Sequence, residues 1–114
     1  MTRDSNCIFC KIIAGEIPGK FVIEDKDYVV LRDINPQAPT HVLIVPREHV
    51  RNVIDVPDAD LLGRLFQAAK RVVDQEGLGN GFRLITNTGD DGGQTVDHLH
   101  IHVLGGRAMG WPPG

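Results

Sequence analysis

The sequence predicts an α+β domain built on an antiparallel sheet, and three observations carry that prediction. Short apolar runs bounded by turn residues lie towards both ends of the chain, and they read as strands. One long stretch between them has helical periodicity instead. Strands that follow one another in sequence, with the helix set apart, fit an antiparallel arrangement better than alternating βαβ units. With 114 residues and no internal repeat or linker, the chain reads as one domain, 1–114. Its ordered core is expected from about residue 7, and its tail spans 105–114.

Cys7 to Ile13 is predicted as a short helix that ends at the turn around Gly15. Phe21–Glu24 and Tyr28–Arg32 form a hairpin about Asp25-Lys26-Asp27. Asn35-Pro36-Gln37-Ala38-Pro39 cannot be regular, because two prolines remove donors and fix φ. His41 to Val45 alternates as a strand and stops at Pro46. Pro57 and Asp58 open the long helix, whose apolar stripe is Leu61, Leu62, Leu65, Phe66, Ala69, Val72 and Val73. Arg64, Gln67, Lys70, Arg71 and Asp74 occupy its other face, and Gly77 ends it. Phe82 to Thr86 is a strand, Asn87 to Thr95 a polar glycine-rich loop, and His98 to Leu104 the last strand.

Aromatic residues make up only 5% of the chain, so the core rests on Val, Ile and Leu. A net charge of -3 and a pI near 5.9 argue against a broad nucleic-acid footprint. They leave room for a small phosphate pocket, which needs only local donors. No run approaches the roughly 20 apolar residues of a membrane span. Met1 to Asn6 lacks the apolar core of a signal peptide, so neither a leader nor a membrane partner is expected and the expected location is cytoplasmic. Cys7 and Cys10 are the two cysteines, spaced Cys-x-x-Cys. In a reducing compartment that spacing points to metal or redox chemistry before a structural disulfide, and no thioredoxin-like βαβ pattern surrounds it.

The strongest chemical signal is His98-Leu99-His100-Ile101-His102-Val103. On a strand, His98, His100 and His102 project from one face while Leu99, Ile101 and Val103 enter the core. A solvent-facing polar stripe and a metal cluster are the competing readings, but alternate positions on one strand rarely complete a ligand set. A neutral imidazole is available near pH 7 and can attack phosphorus, splitting one displacement into two easier ones. His100 has a histidine on either side to donate to phosphate oxygens or the leaving group, which makes it the candidate nucleophile. Upstream, Gly89-Asp90-Asp91-Gly92-Gly93-Gln94-Thr95 offers backbone N–H groups and the side chains of Gln94 and Thr95 to an anion. Asn87 could reach the same pocket. Alone, such a run is an ordinary turn; directly before a histidine strand it reads as a phosphate loop.

These residues resemble the histidine-triad superfamily, and most closely its nucleoside phosphoramidase branch, the histidine-triad nucleotide-binding proteins. The matching stretches are Asp33 to His41, Gly92-Gly93-Gln94-Thr95, His98 to Gly106 and Trp111-Pro112-Pro113-Gly114. The resemblance runs from about Cys7 to the C-terminus. It implies a HIT-like fold with one long and one short helix, and a two-fold homodimer that joins two five-stranded sheets into one. It implies hydrolysis of purine nucleoside 5′-phosphoramidates, releasing a nucleoside monophosphate and an amine through a nucleotidyl intermediate on His100. Asp33 would meet the ribose hydroxyls, and Ile34 and Leu31 would flank the base. The α-phosphate would sit among Asn87, Gly93, Gln94, Thr95, His100 and His102. His41 would orient or polarise the pocket around His100, His102 would help the amine leave, and Trp111 would reach the partner subunit's site. In isolation Asp33 is a solvated strand-end carboxylate.

Two thiolates supply half of a tetrahedral zinc site, and with no other cysteine the remaining ligands must be histidines. Zinc-bearing members of the superfamily imply Cys7, Cys10, His49 and His98, with His98 anchoring the catalytic strand rather than working in the site. Here the chain departs from phosphoramidases that lack both cysteines. Asn35, where serine is common, and Gly110, where a larger residue is common, are smaller departures. Hydrolysis or transfer at a dinucleoside polyphosphate or nucleotide sugar would use the same His100. A nucleotide-binding dimer acting as an interaction module is the alternative outside enzymes.

Overall fold

The computed structural model describes residues 3–114. Met1 and Thr2, the first residues of the expected domain, lie outside the described residues. The order is α1 (Ile8–Ile13), β1 (Phe21–Glu24), β2 (Tyr28–Arg32), β3 (Thr40–Pro46), α2 (Ala59–Glu76), β4 (Phe82–Ile85) and β5 (Ile101–Gly105). A 3-10 turn, Val53–Asp55, precedes α2; its Asn52 side chain accepts the Ile54 N–H. The strands form one five-stranded antiparallel sheet in the order β1-β2-β3-β5-β4, as expected of an α+β, HIT-like fold.

Both ends of α2 follow sequence chemistry. Asp58 caps the N-terminus by accepting the Leu61 N–H at 2.8 Å. Gly77 adopts φ 69° and ends the helix through its N–H to Val73 O, a conformation that other residues adopt at a cost. The buried stripe Leu61, Leu65, Ala68, Ala69 and Val72 packs on Val30, Val42, Ile44, Ile101 and Val103. The period-two alternation sends Val29, Leu31, Leu43 and Val45 to the opposite face, where α1 covers them with Phe9 and Cys10. The two helices therefore lie on opposite faces of the sheet, and that second face carries the chemistry.

The last strand differs from the expected His98–Leu104. Its ladder begins at Ile101, opposite Ile44, and extends to Gly105. Continuing that register places Pro46 opposite Leu99, and proline has no amide hydrogen to extend the ladder. The Leu99 N–H turns instead to Val50 O at 2.6 Å. Alternation survives the loss of pairing, since Leu99, Ile101 and Val103 all enter the α2 face. Likewise β4 stops at Ile85 rather than Thr86, whose hydroxyl donates to His100 O. No helix among the described residues is long and apolar enough to cross a membrane.

Candidate active site and metal cluster

The site is assembled by strand parity. Val29, Leu31 and then Asp33 follow one face of β2, His41, Leu43 and Val45 the same face of β3, and His100 and His102 the same face of the last segment. Across the β3–β5 ladder Leu43 stands opposite His102, so His41 reaches His102 diagonally. Helix α1 closes the far wall, with the Phe9 ring edge-on to His100 at a centroid distance of 5.1 Å. Between them is a cavity of about 460 Å³ lined by Leu31, Asp33, Ile34, Asn87, Gly93, Thr95, His100 and His102. Ile8, Phe9, Ile12 and Leu43, with Pro18 and Val96, extend its apolar wall and were not expected there. Leu43 shares the parity of His41, a signal in the sequence; the α1 residues enter only through tertiary packing.

Backbone carbonyls set the tautomers. His100 Nδ1 donates to His98 O at 2.7 Å, which leaves Nε2 with a free lone pair. Burial pushes His100 below the ordinary histidine value, opposed by that hydrogen bond and by Asp33, so the ring is neutral at pH 7. A buried neutral imidazole with a fixed Nδ1–H is what a nitrogen nucleophile requires. His102 is lowered to about 4, first by burial and then by His100 and His41.

The folded chain adds one contact and changes two that were expected. His41 touches His102, with Nε2 to Nδ1 at 2.9 Å, and it faces an adjoining cavity of about 590 Å³. The reason is parity and register, which put Leu43, not His41, directly opposite His102. The Gly93 and Gln94 N–H groups do not point at an anion, since they close their own turn on Asp90 O and Gly89 O. Gln94 is a clamp rather than a phosphate ligand: Oε1 accepts the Gly89 N–H, and Nε2 donates to Arg51 O at 2.7 Å and Val96 O at 3.1 Å. The donors left for an anion include Thr95, the His imidazoles, Lys20 on the cavity wall and the second amide hydrogen of Asn87, whose first goes to Gly92 O. Trp111 is 84% exposed and does not line the cavity of its own chain.

Gln94→Ala should therefore act through loop order. We expect KM for a cleaved nucleotide to rise by about tenfold, the loss of one or two clamp bonds. Steady-state kinetics with wild-type stability at the assay temperature checks this; an unchanged KM would remove the clamp role.

On the far side of His98 a second cluster gathers Cys7, Cys10, His49 and His98, whose ligand atoms lie within 4.8 Å of one another. His98 is fully buried, and its Nε2 donates to Pro46 O at 2.9 Å, so Nδ1 presents a lone pair to the cluster. From that Nδ1, Cys7 Sγ is 3.2 Å away, Cys10 Sγ 3.7 Å and His49 Nδ1 3.2 Å. A tetrahedral ion with Zn–S and Zn–N bonds of ordinary length separates its ligand atoms by about 3.3–3.8 Å. The donors therefore fit a metal ion of that kind. Burial raises the Cys7 thiol, so a bound cation would have to displace a proton held there. Asp33, His41 and His102 also lie close together, but the Gln37 N–H donates to His41 Nδ1 at 3.0 Å and forces the proton onto Nε2, which occupies the atom a metal would need.

Comparison with known proteins places this arrangement. A model of the HIT domain matches residues 14–109. A HIT family hydrolase from Legionella pneumophila, a solved structure, is 51% identical with a TM-score of 0.92, covering 96% of this chain and 100% of that one. A 14 kDa zinc-binding protein of Zea mays is 48% identical over 97% of this chain and 90% of its own length. Adenylylsulfatase HINT1 of Arabidopsis thaliana is 47% identical over 97% of this chain and 78% of its own. The domain match, these identities and the shared fold make the chain a member of the HIT domain family, with the hydrolase-type function of its relatives.

Proposed function

We propose that the protein hydrolyses purine nucleoside 5′-phosphoramidates through a covalent nucleotidyl-His100 intermediate. The observation that carries this is the tautomer of His100, whose lone pair is fixed at Nε2 on the wall of a nucleotide-sized cavity. Nε2 attacks phosphorus, the P–N bond breaks, and the amine leaves with the electron pair and takes up a proton from solvent water. Positive charge on the ring is stabilised by the Nδ1–H bond to His98 O. Water then attacks the nucleotidyl-histidine, releases the monophosphate and restores the neutral ring. In this reading Thr95, Asn87 and His102, which line the cavity, would donate to the phosphate, Asp33 would receive ribose hydroxyls, and Leu31 and Ile34 would flank the base.

Zinc at Cys7, Cys10, His49 and His98 would anchor the segment that carries His100, and it supplies no step of the reaction. Cysteines held reduced for that role suit a cytoplasmic location. A homodimer would bring Trp111 to the partner's site. A second reading, cleavage of a phosphoanhydride such as adenylyl sulfate, draws support from the name of the Arabidopsis relative. Initial rates per site on adenosine 5′-phosphoramidate, adenylyl sulfate and a diadenosine polyphosphate decide between them. Fastest release of amine supports a phosphoramidase. Fastest cleavage of either anhydride keeps His100 and replaces the substrate class. Binding without turnover of any substrate would leave a nucleotide-binding interaction module.

A further inference from the structure

Each of the four residues in the Cys7, Cys10, His49 and His98 cluster has a group set behind it, and one residue outside the four supplies two of these groups. His98 places its Nε2–H on Pro46 O at 2.9 Å. Cys7 Sγ accepts the Cys10 N–H at 3.4 Å, a bond made within the cluster. Cys10 Sγ accepts the Asp4 N–H at 3.5 Å. The fourth residue, His49, turns Nδ1 inward, 3.2 Å from His98 Nδ1. The proton of its neutral ring therefore sits on Nε2, on the side where Asp4 Oδ2 lies 3.9 Å away.

Asp4 is held in this place. Its carbonyl accepts the Cys7 N–H at 3.1 Å, and its Oδ1 accepts the Asn6 N–H at 2.8 Å. This turn leaves Oδ2 facing the imidazole. The adjacent cation, Arg3, is engaged by Glu16 instead. Among the described residues no other carboxylate lies within ion-pair distance of His49. Asp97 lines the same mouth, a cavity of about 370 Å³, without pairing with either imidazole of the cluster.

At 3.9 Å the Asp4–His49 pair is longer than a hydrogen bond. A cation at Nδ1 would draw charge out of the ring and strengthen Nε2–H as a donor. Metal-bound histidines ordinarily give that proton to a carboxylate or a carbonyl, which fixes the ring. Pro46 O fills the place for His98, and half-exposed Asp4 needs to move by only about 1 Å to fill it for His49.

We propose that Asp4 is a positioning residue of the metal centre: its carboxylate takes the Nε2–H of metal-bound His49 while its backbone N–H supports the Cys10 thiolate, so that the segment before α1 closes the site over the ion. This rests on the metal reading of the cluster and is independent of the reaction at His100.

Zinc affinity of the whole protein, measured at pH 7 by competition with a chromophoric chelator, tests it. Asp4→Asn keeps the turn and the backbone N–H but removes the acceptor facing His49. It should weaken zinc binding by about 10- to 100-fold, the scale for losing such a partner. Asp97→Asn removes a charge from the same mouth and should stay within about threefold of wild type, the scale of an exposed charge. In proton–nitrogen spectra of the zinc-loaded wild type, the His49 Nε2–H should be visible and protected from exchange with water. In Asp4→Asn it should move upfield and exchange faster, while the His98 Nε2–H on Pro46 O stays in place. Equal affinities in wild type and Asp4→Asn, or equal losses in Asp4→Asn and Asp97→Asn, overturn the proposal and leave the metal site standing. A wild type that binds no zinc overturns both.

Discussion

Replacing His100 by alanine should lower turnover of an adenosine 5′-phosphoramidate by at least about 10⁴-fold, the scale on which removing a nucleophile acts. Binding of a nucleoside monophosphate should stay within severalfold of wild type. The two readouts separate because the attacking atom and the binding wall are different groups. The lone pair at phosphorus belongs to Nε2 of His100, whereas the base and ribose wall comes from Leu31, Asp33, Ile34 and α1. Truncation also frees His98 O, which accepts from His100 Nδ1, and a water in the space the ring vacates can bind it instead. Single-turnover assays should trap a nucleotidyl adduct in wild type and none in the variant. Turnover retained above roughly a hundredth of wild type would remove His100 as nucleophile, since a missing covalent step costs far more than that.

Removal of metal should have the largest effect on stability. Zinc-loaded protein treated with a strong chelator, or carrying Cys10→Ser, is expected to lose about 3 kcal/mol, or roughly 10 °C in Tm for a chain of this size. The cluster joins the start of α1 to the segment after β3 and to His98, three parts of the chain far apart in sequence. Without a cation, two thiols and two imidazoles face one another in a buried space, held by weak contacts such as Cys10 Sγ to His49 Nδ1 at 3.5 Å. Zinc added back should restore Tm in the chelated wild type and not in Cys10→Ser. A Tm that ignores both chelator and added zinc would mean that the four residues hold no ion.

Periodicity was enough to place most elements. The Asp58 cap and Gly77 stop of α2 lie where residue chemistry put them, because caps and stops depend on neighbours in sequence, whereas the buried stripe is narrower than expected, leaving Phe66 exposed and taking in Ala68. The hairpin of β1 and β2 is equally local. The start of β5 was not, since it depends on Pro46 arriving opposite Leu99 from more than fifty residues away. The role of Gln94 was hidden for the same reason: its amide could serve an anion or a backbone, and only the approach of Arg51 O decides. The loop from Asp33 to His41 was conspicuous for its prolines, yet its hydrogen bond to His41 Nδ1, from the Gln37 N–H, exists only in the folded chain.

By itself, the sequence determined the fold class, the long helix, the alternation that puts His100 and His102 on one face, and the chemical types available for a metal. These follow from periods of two and 3.6 residues and from side-chain chemistry, which need no long-range information. Tertiary structure alone decided that α1 covers the face opposite α2 and that His41 serves His102, and it brings together Cys7, Cys10, His49 and His98, the set the resemblance implied. It also decided which imidazole nitrogen carries each proton. That choice belongs to carbonyls and amides donated by other segments, Pro46 O for His98 and the Gln37 N–H for His41, and their positions exist only in the folded chain.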